Sequence, residues 1–388
     1  MTDPKRTGPL AGLRVLDIST IIAAPFAATL LADYGADVVK VELPGEGDGL
    51  RHFPPFKDGR SLWWKTTNRG KRFVALDLRT PDGAATFRRM VRDFDVVIEN
   101  FRPGTLERWG LGPDVLIGEN PSLVLARVTG FGQDGPAAQR PGFARLFEAM
   151  SGLTHITGEA DGPPMHSGYP MGDAIGGLFA AMSVAVALVS VANDPERHGQ
   201  VIDLSLTEAM FRLLDSQTIG YGEVGWIPQR TGNANQYSAP SDVYPTRDGK
   251  HVSLSGSTNA TFRRNLAAIG RPDLATDRRF ADNKVRVENT GALDAVFREY
   301  FATHDFDEIV ASFAREGGTL APILSIDMIY EDPQFRARGA IVDVPDDDFG
   351  TVKMQGVVPR FSRSRCAVTG SGGALGRDTD EVLKDYAT

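Results

Sequence analysis

The chain has 388 residues, 41% hydrophobic and 24% charged, with 50 acidic against 42 basic residues and a net charge of −8. That length exceeds one small core and calls for two domains, and the composition gives no reason for disorder. No lysine or arginine run marks a nucleic-acid or membrane-surface footprint, so neither is expected as a partner, whereas a small anion held by local arginines stays open.

Met1 to Pro9 is polar and shows no apolar signal region. The first 130 residues then alternate strand and helix. Arg14 to Ile18 reads as a strand, and Ala23 to Tyr34 as a helix with Pro25 near its start and Gly35 as its stop. Asp37 to Glu42, Phe73 to Leu78, Asp95 to Asn100 and Leu123 to Thr129 read as further strands, and Thr80-Pro81-Asp82 opens a helix to about Asp93. Strands separated by helices predict βαβ units and an open, mainly parallel sheet, an α/β class with a Rossmann-like large domain. Ala174 to Ala192 carries no charge and approaches bilayer-spanning length, but its Gly, Ala and Ser content in an otherwise polar chain reads as a buried helix. After about Thr218 the pattern changes. Val243 to Leu254 predicts a hairpin around Asp248-Gly249, and two or three helices follow between Thr258 and Gly317. The expected division is a large domain of residues 1–218 with 325–388, and a smaller α+β domain of residues 219–324. The lone cysteine, Cys366, excludes an intrachain disulfide and fits a reducing, cytoplasmic setting.

Several motifs are missing. The turn after the first strand reads Ser19-Thr20-Ile21-Ile22-Ala23-Ala24, without the dinucleotide-binding glycines. Neither Gly70-Lys71 nor Gly249-Lys250 is followed by Ser or Thr, and no Gly-x-Ser-x-Gly elbow or His-Glu-x-x-His pair occurs. Dehydrogenase, NTPase, serine hydrolase and zinc protease readings lose ground together. What remains is Asp173, within Gly172-Asp173-Ala174-Ile175-Gly176-Gly177 at the head of the apolar helix. An Asp there is ordinarily an N-cap. It can also be a carboxylate kept ionised by the helix dipole, with glycines that let a bulky substrate approach, able to attack an acyl thioester. Position alone leaves both open.

Gly12 to Asp17 (GLRVLD), Leu31 to Glu42 (LADYGADVVKVE), Asn68 to Arg72 (NRGKR), Glu99 to Gly104 (ENFRPG), Gly130-Phe131-Gly132, Gly199 to Ser205 (GQVIDLS) and Gly376 to Leu383 (GRDTDEVL) occur in this order. From about Pro9 to Leu383 the chain resembles the class III CoA-transferase family, which includes formyl-CoA transferase, carnitine CoA-transferase and α-methylacyl-CoA racemase. The resemblance implies an enzyme that moves coenzyme A from an acyl-CoA donor to a carboxylate acceptor through an aspartyl anhydride and an aspartyl-CoA thioester. It places the nucleophile on Asp173 and CoA contacts on Ala23, Leu76, Arg79, Asn100, Phe101, Arg102 and Arg108. It implies an interlocked homodimer and no metal or permanently bound cofactor, coenzyme A being substrate and product. Leu43 stands where many relatives carry a basic residue, so the phosphate site is expected to differ locally.

The racemase branch needs a second acid/base, a His after the glycine of the Gly142 segment. Arg140-Pro141-Gly142-Phe143-Ala144-Arg145 puts Phe143 there, which favours transfer over a 2-methylacyl-CoA racemase or epimerase. A non-catalytic CoA-binding scaffold is the third reading. Phe143 and Arg145 are expected to face the acyl group, with Arg145 clamping a distal carboxylate. The region matching a glycine-rich loop of some formyl-CoA transferases reads Arg230-Thr231-Gly232-Asn233-Ala234-Asn235.

Overall fold

Consecutive apolar residues along the early strands point to opposite faces of one sheet, so each strand feeds two cores. The computed structural model describes residues 7–387, and most of the Met1 to Pro9 stretch lies outside them. Six parallel strands form the sheet: β1 (Arg14–Asp17), β2 (Asp37–Glu42), β3 (Lys71–Ala75), β4 (Val96–Glu99), β5 (Val124–Thr129) and β6 (Gln200–Ser205). Their order is β3-β2-β1-β4-β5-β6, every pair parallel. That is the doubly wound order of dinucleotide-binding sheets. The α/β class and open parallel sheet are as the pattern predicts. β3 begins and ends earlier than expected, which leaves Leu76 to Arg79 in the loop at the strand's C-terminal end.

By packing, the chain separates into two units. One comprises residues up to Leu153, Ser167–Trp226 and Pro333 onward; the other comprises Thr154–His166 and Ile227–Asp332. In the first unit, Val15, Val38, Val96 and Val124 face α1 (Ala23–Asp33) and the long helix α4 (Met171–Asn193). Leu16, Val39, Val97 and Leu125 face the opposite core, with Phe87 and Met90 of α2 (Pro81–Val91). Thr80 caps α2 by accepting the Gly83 N–H at 3.1 Å, with Pro81 in the first turn, as its sequence foretold. Two short helices, α3 (Ala144–Met150) and α5 (Leu206–Phe211), pack against α4 near its N-terminal end.

Helix α4 departs from expectation. Its small residues Gly176, Gly177, Ala180, Ala181, Val184, Ala187 and Val191 are buried. A Cβ on Gly177 would lie 2.7 Å from the Ala23 carbonyl oxygen, so the glycine is what permits this approach to α1. On the other side Leu178, Met182, Val186 and Val189 are 53–64% exposed. The helix is long and apolar enough to cross a membrane, yet it packs one stripe into the core and leaves the other uncovered within the chain.

In the second unit, β7 (Ser241–Pro245) and β8 (His251–Ser255) form the expected antiparallel hairpin, with Tyr244 opposite Val252, and β9 (Leu320–Pro322) pairs on the far side of β8. Val252 and Leu254 point inward to phenylalanines from α6 (Asn259–Ala268), α8 (Thr290–Thr303) and α9 (Phe306–Glu316). The short α7 (Asn283–Glu288) adds a helix to the two or three expected. Returning to the first unit, β10 (Ile341–Asp346) and β11 (Gly350–Gln355) make a hairpin, and α10 (Thr379–Tyr386) puts Val382 and Tyr386 into the core shared with α2.

Candidate active site

Strand order reverses between β1 and β4, and in such sheets ligands dock beyond the carboxyl ends of the strands at that point. The loop after β1 is held there by side chains from its neighbours. Asn100, just past β4, accepts the Thr20 N–H and donates to the Thr20 carbonyl, both at 2.8 Å. Ile21 has φ 71°, an unusual conformation for a β-branched residue, and its N–H donates to the Asp48 carboxylate at 3.0 and 3.2 Å. Below the loop lies a fully buried charge cluster. Lys71 Nζ is 2.8 Å and Lys40 Nζ 3.6 Å from Asp17 Oδ2, and Lys40 is 3.1 Å from Asp48. Lys40 also donates to the Ser19 carbonyl, and Lys71 to the Pro25 carbonyl. Burial would raise Asp17, but Lys40 and Lys71 hold it below the usual carboxylate range. Burial drives Lys71 down to about 8 despite Asp17, and the like charge of Lys40 adds to this.

Two hollows open at this edge. The first, about 350 Å³, is walled mainly by apolar groups, among them Ile18, Val41, Leu43, Leu76, Phe101 and Trp109, with Arg79 at its margin. Phe101 and Trp109 meet edge to face with ring centroids 4.9 Å apart. The second, about 280 Å³, shares Thr20 and Phe101 with the first and is lined by Ala23, Asn100, Arg102, Arg140, Phe143 and Asp173 among others. Of the residues singled out in the sequence, these two spaces gather all but Arg108 and Arg145. Arg108 is exposed and donates to the Thr105 hydroxyl at 2.9 Å, beside the first hollow. Arg145 is exposed on α3 and lines neither space. Arg79 is already engaged by Asp77 through two bonds of 2.8 and 2.9 Å. Among the described residues no carboxylate pairs with Arg102 or Arg140; the Arg140 guanidinium lies 5.6 Å from the centre of the Phe131 ring.

Asp173 is the third residue of α4 and caps nothing: the helix is preceded by Pro170, and no side-chain cap bond closes its first turn. The N-cap reading is thereby set aside. The helix N-terminus is expected to favour the ionised carboxylate; burial and then the nearby Glu148 carboxylate act the other way and push Asp173 up to about 7. Glu148 is 2% exposed, and its Oε1 accepts the Gly172 N–H at 3.1 Å. Sequence reasoning missed Glu148, though an acid flanked by Phe147 and Ala149 on a short apolar helix was a visible signal. It also passed over Thr129, whose buried hydroxyl lacks a hydrogen-bond partner in the lining of the second hollow. Such a donor is available to a carbonyl oxygen that develops charge.

Comparisons with known proteins show the family. The profile of CoA-transferase family III matches residues 10–379. The chain is 40% identical over 386 residues to a succinyl-CoA–D-citramalate CoA-transferase of Chloroflexus aurantiacus, covering 99% of this chain and 96% of that protein. It is 39% identical over 383 residues to the β subunit of a succinyl-CoA–L-malate CoA-transferase of the same organism, covering 98% and 94%. The crystal structure of a CaiB/BaiF family protein from Brucella suis superposes with a TM-score of 0.87 at 33% identity, covering 98% of this chain and 100% of that one. The chain belongs to CoA-transferase family III and is an enzyme of that class.

Proposed function

We propose that the enzyme transfers CoA between short dicarboxylic acids with Asp173 as the covalent carrier. The observation that carries this reading is a half-buried carboxylate with no hydrogen bond of its own among the described residues, lining one hollow with two arginines that no described carboxylate neutralises. Asp173 attacks the donor thioester carbonyl, the C–S bond breaks, and CoA thiolate leaves with its electron pair. The thiolate then attacks the aspartyl carbonyl of the mixed anhydride and expels the donor carboxylate, leaving an aspartyl-CoA thioester. The acceptor carboxylate repeats the sequence in reverse, and no proton is gained or lost overall. No permanently bound cofactor is required. A cytoplasmic setting, where the single Cys366 stays reduced, suits the chemistry.

The apolar first hollow suits the adenine ring, and Arg79 at its margin, Arg108 beside it and Arg102 in the lining of the adjoining second hollow suit the CoA phosphates. Both relatives named above are described by succinyl-CoA and a second dicarboxylate. Arg140 lines the hollow that holds Asp173, so we assign the distal carboxylate to Arg140 in place of Arg145. Phe143 faces the same hollow and cannot carry a proton, which argues against the racemase branch. Arg102→Ala and Arg108→Ala should each weaken CoA binding by on the order of 1.5–3 kcal/mol while slowing bound substrate less. Calorimetric titration with CoA, beside turnover of succinyl-CoA and acetyl-CoA with mono- and dicarboxylate acceptors, tests this. Unchanged CoA affinity in both variants would remove the phosphates from this site. No turnover across the panel would favour a silent CoA-binding scaffold.

The uncovered stripe of Leu178, Met182, Val186 and Val189 supports a homodimer, since a monomer seldom leaves such a row in water. Light scattering should give twice the chain mass at every dilution from micromolar to nanomolar; a monomer anywhere in that range contradicts the proposed assembly.

A further inference from the structure

Glu148 is the one acid on α3, and its buried carboxylate is fastened to the peptide that carries the nucleophile. A glutamine would accept the same Gly172 N–H without placing a second charge beside Asp173. Burying like charges costs folding free energy, so the carboxylate calls for a chemical reason. Asp173 faces Glu148 from α3 and Tyr169 from the segment before α4, while Arg102 and Arg140 line the same hollow. Ala144 of α3 and Met210 of α5, which pack on Gly172, bring no charge.

The first half of the proposed reaction converts Asp173 from an anion to a neutral acyl derivative. In it the donor C–S bond breaks, a C–S bond forms at the Asp173 side-chain carbonyl, and the bond from that carbonyl carbon to the bridging anhydride oxygen breaks. Its electron pair leaves as the donor carboxylate. Anything that destabilises the free Asp173 anion, and not the neutral adduct, pulls this equilibrium towards the loaded enzyme. We propose that Glu148 is a positioning residue which, acting through Asp173, drives the loading of CoA onto the enzyme, so that the aspartyl-CoA thioester becomes the species that waits for the acceptor. Two features support it: Glu148 fixes the first turn of α4 through Gly172, and its charge helps hold Asp173 near 7, well above an ordinary carboxylic acid. The inference rests on Asp173 being the carrier.

The test uses the full chain and succinyl-CoA without acceptor, at several concentrations of free succinate. Intact-mass spectrometry reads the fraction of protein carrying CoA and hence the loading constant. Glu148→Gln should lower that constant about tenfold, and move the acidic limb of the loading rate down by roughly one pH unit, the two being the same electrostatic effect. Its CoA dissociation constant should match the wild type, because the Gly172 hydrogen bond survives, and its melting temperature should be no lower, because one of two buried like charges is gone. Glu148→Asp should restore part of the loading. Equal loading and an unmoved pH profile in Glu148→Gln would overturn the role of Glu148 while leaving Asp173 intact as carrier. Absence of any CoA adduct on wild-type protein would instead sink the Asp173 reading, and this inference with it.

Discussion

Asp173→Asn is expected to fold, bind CoA and lose transfer by at least about a thousandfold, the scale seen when a covalent nucleophile is removed. Mass spectrometry of the wild type after acyl-CoA treatment should find the adduct on the peptide holding Gly172-Asp173-Ala174, and the variant should carry none. Transfer at near wild-type rate in Asp173→Asn ends the covalent mechanism. The variant should also be the more stable protein at alkaline pH. Asp173 is raised to about 7 in the fold, against about 4 in an unfolded chain. A raised acid contributes stability that is complete below its unfolded value and lost as pH rises through the folded one. The asparagine stays neutral throughout. At pH 9 the variant should gain on the order of 1–2 kcal/mol over wild type, after allowance for partial exposure, and the gap should close towards pH 5. Chemical denaturation at both pH values measures it, and a less stable variant at pH 9 means the carboxylate is well solvated. Because Asp173 caps nothing, Asp173→Ala should show no lost-cap penalty.

The largest loss of stability is expected in the charge cluster beneath the loop that follows β1. Asp17→Ala leaves Lys40 and Lys71 buried with too little negative charge, which should cost about 3–5 kcal/mol. The urea midpoint reads it directly. Adding Lys71→Met should recover part of the loss, since it removes one of the stranded cations. Failure of the second change to help would mean that Asp17 acts mainly through its hydrogen bond with Ser19. The same cluster grips the carbonyls of Ser19 and Pro25 and, through Asp48, the N–H of Ile21. Damage there should therefore weaken CoA binding at the Thr20–Ala23 loop as well as the fold.

The sheet was legible because its information is local. Arg14 to Ile18 and Asp37 to Glu42 are short apolar runs bounded by turns, and Asp248-Gly249 between two runs can hardly be anything but a hairpin. Gln200–Ser205 was visible as a motif but not as a strand, since Gln200, Val201 and Asp203 stay exposed and the sixth strand shows no buried run. The site was legible in part. Arg102 and Asp173 carry strong chemistry at recognisable places, but which arginine reaches the hollow depends on where a loop turns, and that separated Arg140 from Arg145. Glu148 was hidden because its meaning lies in Gly172, twenty-four residues away along the chain. The apolar run from Ala174 to Ala192 says that a helix avoids water, and is silent on which side its own chain covers.

The contact at Gly177 limits how this scaffold can evolve. Asp173 rides on α4 and the Thr20–Ala23 loop opens α1, and backbone meets backbone where the two helices touch. That wall behaves as a fixed jaw. The opposite wall, from Ala138 to Phe143, is largely exposed loop ending in a 76% exposed phenyl ring. Drift towards longer or branched acids is thus open through the movable jaw alone, and selection for new substrates should leave its record between Ala138 and Phe143 while Gly177 stays as it is.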